Sequence, residues 1–156
     1  MPTQLTLIDN EHVYDESKVR QSTVLAFDFG EQRIGVAVGE HLIKVASPLM
    51  QIDEESNEIR FNIITSLVNE WRPSLLVVGL PLNLAGEETP ICQLCRKFAR
   101  RLNGRFNLPV ILIDERYSSY EAEELLSQQG IQGRAQKELL DQMAATTILQ
   151  KYFDHL

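Results

Sequence analysis

Apolar residues near the start of the chain form short runs that predict strands. The run at 23–29 is long enough for a strand and too short for a helix. Alternating apolar residues over 33–40 predict a second strand, and a third follows within residues 41–49. Because only short turns separate these runs, we expect a three-stranded antiparallel meander. The residues between the first two strands suit a tight hairpin, in which Gly30 is free to adopt a positive φ.

Helical and strand-like segments alternate in the rest of the chain. Apolar residues at helical spacing predict an amphipathic helix over about 56–71. Two buried strands are predicted at 74–79 and 109–114, because neither run shows polar alternation. Capping and terminating residues predict three further helices, over about 89–103, 118–130 and 135–153. This order predicts an α/β fold in which helices flank a mixed sheet of the meander plus parallel strands.

Composition and charge narrow the class of protein. The chain has 156 residues, 44% hydrophobic and 24% charged, as expected for a single globular domain. Residues 1–22 are polar and are expected to form a loosely ordered tail before one domain at 23–156. The net charge of −7 excludes a protein that holds polyanions by overall charge alone. No apolar run is long enough to span a bilayer, and the first residues do not form a secretory signal. Two cysteines are too few for a disulfide framework. We therefore expect a cytoplasmic protein without a membrane partner.

Three acidic residues lie within apolar segments, where an ionised carboxylate is costly. Asp28 lies in the first strand, Glu115 follows the strand at 109–114, and Asp141 lies among apolar residues of the last helix. A single acid of this kind can be a structural residue with a satisfied partner. Three of them from separate segments, with few basic residues beside them, indicate a shared cation.

These carboxylates can meet if the strands of Asp28 and Glu115 are neighbours in the sheet. Ala144 and Ala145 would let the last helix approach closely and present Asp141. Oxygen donors without nitrogen or sulfur favour Mg²⁺ or Mn²⁺ over zinc. Two such ions about 4 Å apart can stabilise the attacking and the leaving oxygen of phosphodiester cleavage. For each acid taken alone, a helix-dipole or loop role is the alternative.

Basic residues are concentrated between 89 and 113, a segment without acidic residues. Arg96, Arg100 and Arg101 face away from the predicted apolar stripe of their helix. They are candidate contacts to a phosphate backbone, with a solvated helix face as the alternative. Arg33 and Arg116 lie within a few residues of Asp28 and Glu115, and they could bind the scissile phosphate or pair with carboxylates. Arg134 precedes the last helix and could reach the substrate, with a flexible surface loop as the alternative.

Two cysteines, Cys92 and Cys95, form an isolated CxxC pair. A zinc or redox site normally requires further ligands or context. We therefore expect both thiols to serve ordinary packing.

Four motifs resemble those of the YqgF/RuvX family. In chain order they are DFGEQRIGVAVG at 28–39, VVGLPLN at 77–83, DERYSS at 114–119 and DQMAA at 141–145. The resemblance extends over nearly all of residues 23–154, and the family has an RNase H-like fold. It implies that Asp28, Glu115 and Asp141 are metal-binding catalytic acids of a phosphodiester hydrolase. The implied cofactor is Mg²⁺, for which Mn²⁺ is expected to substitute.

The substrate implied by the resemblance is nucleic acid. The family is described both as pre-16S ribosomal RNA nucleases and as Holliday junction resolvases, so the implied function is processing of the 5′ end of that RNA. The alternatives are resolution of branched DNA in recombination and repair, and a non-catalytic nucleic-acid-binding factor in transcription or ribosome assembly. Further implied partners are the ribosome and its assembly factors. Both a monomer and a homodimer are compatible with the sequence.

Overall fold

The computed structural model describes the backbone of residues 5–8, 22–115 and 127–156. It describes side chains over 22–115 and 127–156, except at residues 134 and 137–142. Arg116 and most of the helix predicted over 118–130 lie outside these residues. The described elements are, in chain order, β1 (Leu5–Ile8), β2 (Thr23–Phe29), β3 (Ile34–Glu40), β4 (Val45–Ile52), α1 (Asn57–Trp71), β5 (Leu75–Leu80), α2 (Pro90–Phe106), β6 (Val110–Asp114) and α3 (Arg134–Asp154).

The described strands form one mixed sheet in the order β1-β6-β5-β2-β3-β4. Strands β2, β3 and β4 pair antiparallel in sequence, which confirms the predicted meander. Strand β5 is parallel to both β2 and β6. The carboxyl ends of β2, β5 and β6 therefore meet at one edge of the sheet.

Strand β5 lies between the strands that carry Asp28 and Glu115, so the expected direct neighbourhood of these two strands is wrong. The connection through α1 places β5 beside β2, and the connection through α2 places β6 beside β5. Each crossover thus adds a parallel strand further out. Glu115 consequently has to reach across β5 to approach Asp28.

The N-terminal segment contains an edge strand, in contrast to the loosely ordered tail expected for residues 1–22. Strand β1 pairs antiparallel with β6, from Leu5 opposite Ile113 to Ile8 opposite Val110. The reason is the edge of β6, whose backbone N–H and C=O groups need partners that β1 supplies. The expectation for the rest of the tail lies outside the described residues.

Two local details also differ from the sequence predictions. Helix α2 continues to Phe106, and Asn107 ends it with a left-handed φ of 56°. Gly30 lies outside the left-handed region, so the turn does not use the positive φ that is open to glycine. A Cβ atom on Gly30 would lie 2.6 Å from the carbonyl oxygen of Arg33. The turn therefore requires glycine for close backbone approach.

The sheet buries both of its faces. Leu25 and Phe27 of β2 pack with Phe61 of α1 and Phe98 of α2 on one face. Val24, Ala26 and Val77 pack with Ala145 and Ile148 of α3 on the other. Because side chains alternate along a strand, Asp28 is on the α3 side. Among the helices of the described part of the chain, none is long and apolar enough to cross a membrane.

Candidate active site

Asp28 occupies the next-to-last position of β2, where it pairs with Gly35 of β3. Its side chain is partly buried and follows Val24 and Ala26 on the face that α3 covers. The aliphatic neighbours explain why this segment forms a strand. The strand in turn fixes the carboxylate at the edge where the parallel strands end.

Glu115 directly follows β6 and is held there by its backbone. Its N–H donates to the carbonyl oxygen of Leu80 at 3.2 Å, which continues the pairing between β5 and β6 by one residue. Its partly buried side chain follows Ile111 and Ile113 on the α3 face. The carboxylate lies over Gly79, because a Cβ atom built there would be 2.7 Å from Glu115 Oε2. Glu115 thus crosses β5 toward Asp28.

The surroundings of Glu115 favour its protonated form. Burial is the main cause that raises its pKa, to about 8, and the negative charge of Asp28 raises it further. Lys151 of α3 acts in the opposite direction, and Asp114 adds a smaller increase. The carboxylates of Asp28 and Glu115 therefore lie in one partly buried region, where their negative charges repel each other.

Asp141, the third candidate ligand, belongs to α3 by its backbone, but its side chain is not among those described. Ala145, one turn further along α3, is 2% exposed and packs against the sheet. A small residue at this point lets α3 approach the sheet closely. Among the described side chains, no three His, Cys, Asp or Glu residues are grouped closely enough to hold a metal ion.

The donor chemistry of Asp28 and Glu115 fits a hard divalent cation. Both offer only carboxylate oxygens, which are the ligands that Mg²⁺ and Mn²⁺ prefer. A cation between them would offset the repulsion that raises the pKa of Glu115. Burial raises the pKa of the nearby Cys95 thiol to about 12, with Glu115, Cys92 and Asp28 adding to the shift. Cys95 therefore offers no thiolate at neutral pH.

Both cysteines are reduced and buried, which confirms their expected role in packing. Cys92 has an additional structural role at the start of α2. Its sulfur accepts a hydrogen bond from the N–H of Thr89 at 3.3 Å and donates to the carbonyl oxygen of Pro81 at 3.4 Å. These two hydrogen bonds of Cys92 join the N-terminus of α2 to the segment that follows β5.

Arg60 of α1 is a residue that the sequence interpretation missed. It is 3% exposed, and its guanidinium donates to the carbonyl oxygens of Gly30 at 2.9 Å, Glu31 at 2.7 Å and Glu54. Burial lowers its pKa, and Glu55 acts in the opposite direction. The backbone that leaves Asp28 is therefore fixed to α1. A signal was available, because Arg60 lies one helical turn before the buried Ile64.

The candidate phosphate-binding arginines differ in their surroundings. Arg33, Arg100 and Arg101 are exposed, and Arg96 forms an ion pair with Glu88. The side chains of Arg116 and Arg134 are outside the described set. The structure therefore brings together Asp28 and Glu115 but does not place Arg116, Arg134 or Asp141 relative to them.

Two adjoining grooves run along one side of α2. Lys97, Arg101 and Arg105 recur every four residues and line these grooves, which have volumes of about 310 and 480 Å³. Asn57 and Arg101 line both grooves, so the two are continuous. Phe29, the residue after Asp28, is among the residues that line the smaller groove. Acidic residues also line both grooves: Glu31 and Glu55 line the smaller one, and Glu58 lines the larger one.

Comparison with known proteins gives matches over most of the chain. A family model, RuvX, described as Holliday junction resolvase, matches residues 22–155. A protein of Methylobacillus flagellatus, named "Putative pre-16S rRNA nuclease", is 63% identical over 133 residues, covering 85% of this chain and 91% of the relative. A protein of the same name from Nitrosomonas europaea is 51% identical over 140 residues, covering 90% and 95%.

A solved structure is similar in its fold. RuvC of T. thermophilus in complex with a Holliday junction substrate aligns with a TM-score of 0.51 at 16% identity. The alignment covers 85% of this chain and 93% of that one. At this identity the likeness concerns the fold alone, and it confirms the expected RNase H-like architecture.

Proposed function

Since this chain belongs to the RuvX family, we propose that it is a metal-dependent endonuclease that processes the 5′ end of pre-16S ribosomal RNA. The observation that carries the proposal is the convergence of Asp28 and Glu115 on one face at the carboxyl edge of the parallel strands. Two acids facing a polyanion are unfavourable unless a cation lies between them. This argues against a purely nucleic-acid-binding factor.

Asp28, Glu115 and Asp141 are the residues that would hold Mg²⁺ or Mn²⁺. When bound, the ion supplies positive charge that stabilises developing charge on the phosphate and acidifies a coordinated water. The pKa of about 8 favours a proton on the Glu115 carboxyl group near neutral pH, and Glu115 would have to lose this proton to serve as a ligand. Arg60 keeps the backbone after Asp28 in place, and α3 covers the apolar part of this face.

The phosphate backbone of the RNA is proposed to contact the basic residues of α2. Arg101 is the best supported of them, because it lines both grooves. Arg33 and Arg100 are exposed, and Arg96 forms an ion pair with Glu88. Arg116 and Arg134 remain proposed contacts on the strength of their sequence positions. Such a substrate implies a cytoplasmic protein that meets the ribosome and its assembly factors.

Holliday junction resolution is a second candidate, favoured by the description of the matching family model. The same carboxylates would serve either substrate, because both reactions hydrolyse a phosphodiester bond. Cleavage of two strands of a junction favours a two-fold dimer, whereas cutting one RNA strand needs a single site. Oligomeric state therefore becomes informative once the substrate is known.

A cleavage assay tests the proposal. The full chain is incubated with an RNA that contains the 5′ precursor of 16S ribosomal RNA, and separately with a four-way DNA junction, in Mg²⁺, Mn²⁺ or EDTA. We expect RNA cleavage that leaves a 5′-phosphate, supported by both ions and lost in EDTA and in Asp28→Asn. If the protein cuts the DNA junction and leaves the RNA uncut, junction resolution replaces RNA processing as the proposed function. Binding without cleavage of either would indicate the non-catalytic factor.

A further inference from the structure

Glu115 and Asp28 belong to strands that are two positions apart in the sheet. Neighbouring strands are spaced by about 4.8 Å, so the backbones of β6 and β2 are separated by roughly 10 Å. Within the described sheet, β5 fills this interval completely. A carboxylate that starts on β6 can approach Asp28 only by passing over the surface of β5.

Gly79 is the residue of β5 over which Glu115 passes. It pairs with Ile113, and it follows Val78, which pairs with Phe27. Position 79 is therefore level with Asp28. Alternation along β5 places this position on the same face as Leu75 and Val77, which is the face of α3.

The space above Gly79 is occupied by Glu115 itself. A Cβ atom at this position would lie 2.7 Å from Oε2 and 3.1 Å from Cδ of Glu115. It would also lie 2.5 Å from Cδ1 of Ile148, a fully buried residue of α3. Position 79 thus lies below two side chains, and one of them is a proposed metal ligand.

The backbone of Glu115 limits its ability to move away. Its N–H is bonded to the carbonyl oxygen of Leu80, the residue after Gly79. Leu80 also pairs with Asp114 in the parallel ladder. The backbone from which the Glu115 side chain extends is therefore fixed. The size of the residue at position 79 then determines where that side chain can lie.

We propose that Gly79 is a positioning residue whose missing side chain forms the passage by which Glu115 crosses β5 to join Asp28 in binding a divalent cation. This inference rests on the proposed metal-dependent function. Any side chain at position 79 displaces the Glu115 carboxylate even when the sheet itself stays intact. Gly79 touches neither the metal nor the substrate, so it acts only through Glu115.

The main test is the effect of Gly79→Ala on Mn²⁺ affinity, measured by calorimetry on the full chain. Ile148→Val serves as the background, because it removes the Cδ1 atom that the new methyl group would meet and leaves the contact with Glu115. We expect Gly79→Ala in this background to fold and to bind Mn²⁺ at least about tenfold more weakly. Gly104→Ala is the matched control, because a Cβ atom there meets nothing within 4 Å. It should leave Mn²⁺ affinity unchanged.

A double-mutant cycle separates this role from simple packing. If Gly79→Ala acts through the Glu115 carboxylate, adding it to Glu115→Gln should cause little further loss of Mn²⁺ affinity. Full additivity of the two losses would overturn the proposal, as would unchanged Mn²⁺ affinity in Gly79→Ala, Ile148→Val.

Thermal unfolding in EDTA keeps the test decisive if Gly79→Ala folds poorly. In the Glu115→Ala, Ile148→Val background all three atoms that crowd position 79 are gone. Gly79→Ala should therefore lower the melting temperature much less there than in wild type. An equal loss in both backgrounds would overturn the proposed contact. Normal Mn²⁺ binding by a wild-type protein that cleaves no nucleic acid would contradict the proposed function and leave the role of Gly79 standing.

Discussion

The carboxylate of Glu115 shares one face of the sheet with Asp28, although strand β5 separates their strands. The charge of Asp28 contributes to the raised pKa of Glu115, after burial. The two acids therefore behave as a coupled pair. Removing one charge changes the protonation of the other, and this coupling gives measurable consequences with and without metal.

Asp28→Asn should abolish cleavage and preserve the fold. The substitution keeps the shape of the side chain and removes a charge that opposes ionisation of Glu115. Stability in EDTA should therefore stay level or rise. Cleavage and thermal unfolding are compared with those of Asp53→Asn, the same change at an exposed acid. Full activity of Asp28→Asn would rule out the proposed metal site.

The free energy of unfolding of the metal-free protein should depend on pH through the titration of Glu115. Its folded pKa of about 8 lies above its ordinary value of 4.5, so the folded state binds this proton more tightly. The stabilisation is fully present below the ordinary pKa and is lost as pH rises through the folded pKa. Relative to Glu115→Gln, wild type should lose up to about 1.4 kcal/mol per pH unit between these values. Urea unfolding in EDTA measures this difference, and parallel pH curves would contradict it.

Metal binding should release a proton at neutral pH. Because a cation needs the ionised form of Glu115, whose pKa is about 8, protons and metal compete below that pH. Apparent Mn²⁺ affinity should rise with pH and level off above the pKa. Activity should fall as pH drops and recover in part with more Mg²⁺. Calorimetry in two buffers of different ionisation heat detects the proton, and equal heats at neutral pH would exclude this linkage.

Substrate affinity should depend on the basic residues of α2 that line the two grooves, Lys97, Arg101 and Arg105. Replacing Lys97, Arg101 and Arg105 by Ala should weaken RNA binding and flatten its salt dependence. The expected change is roughly 0.7 of a log–log unit per lost phosphate contact on a single strand. Arg96→Ala is the control, because Glu88 already engages that arginine. An unchanged salt slope in the triple variant, with normal thermal unfolding, would show that this side of α2 is only solvated.

Arg60→Met should destabilise the fold without touching the metal ligands. It leaves the carbonyl oxygens of Gly30, Glu31 and Glu54 without their charged donor. The expected loss is about 2–4 kcal/mol, since breaking hydrogen bonds to a charged group is costly. Urea unfolding measures it, with Arg100→Met on the exposed side of α2 as the comparison. Equal stability of the two variants would contradict the structural role of Arg60.

The sequence by itself determined the elements and the unusual acids. Periodicity within a segment is a local property, and it predicted the meander, helix α1 and the buried strands β5 and β6. Asp28 and Glu115 stood out because an acid next to apolar neighbours is visible without knowing the fold. Local signals were weaker at element ends, where Asn107 rather than Gly104 terminates α2.

Only the tertiary structure decided which distant residues meet. The order of strands depends on the crossovers, and these placed β5 between the strands of Asp28 and Glu115. The same long-range pairing recruited β1, a four-residue apolar segment, to the edge of β6. Whether two acids converge depends on the side chain that stands between them. In this protein that position is Gly79, and its lack of a side chain has meaning only once Glu115 lies above it.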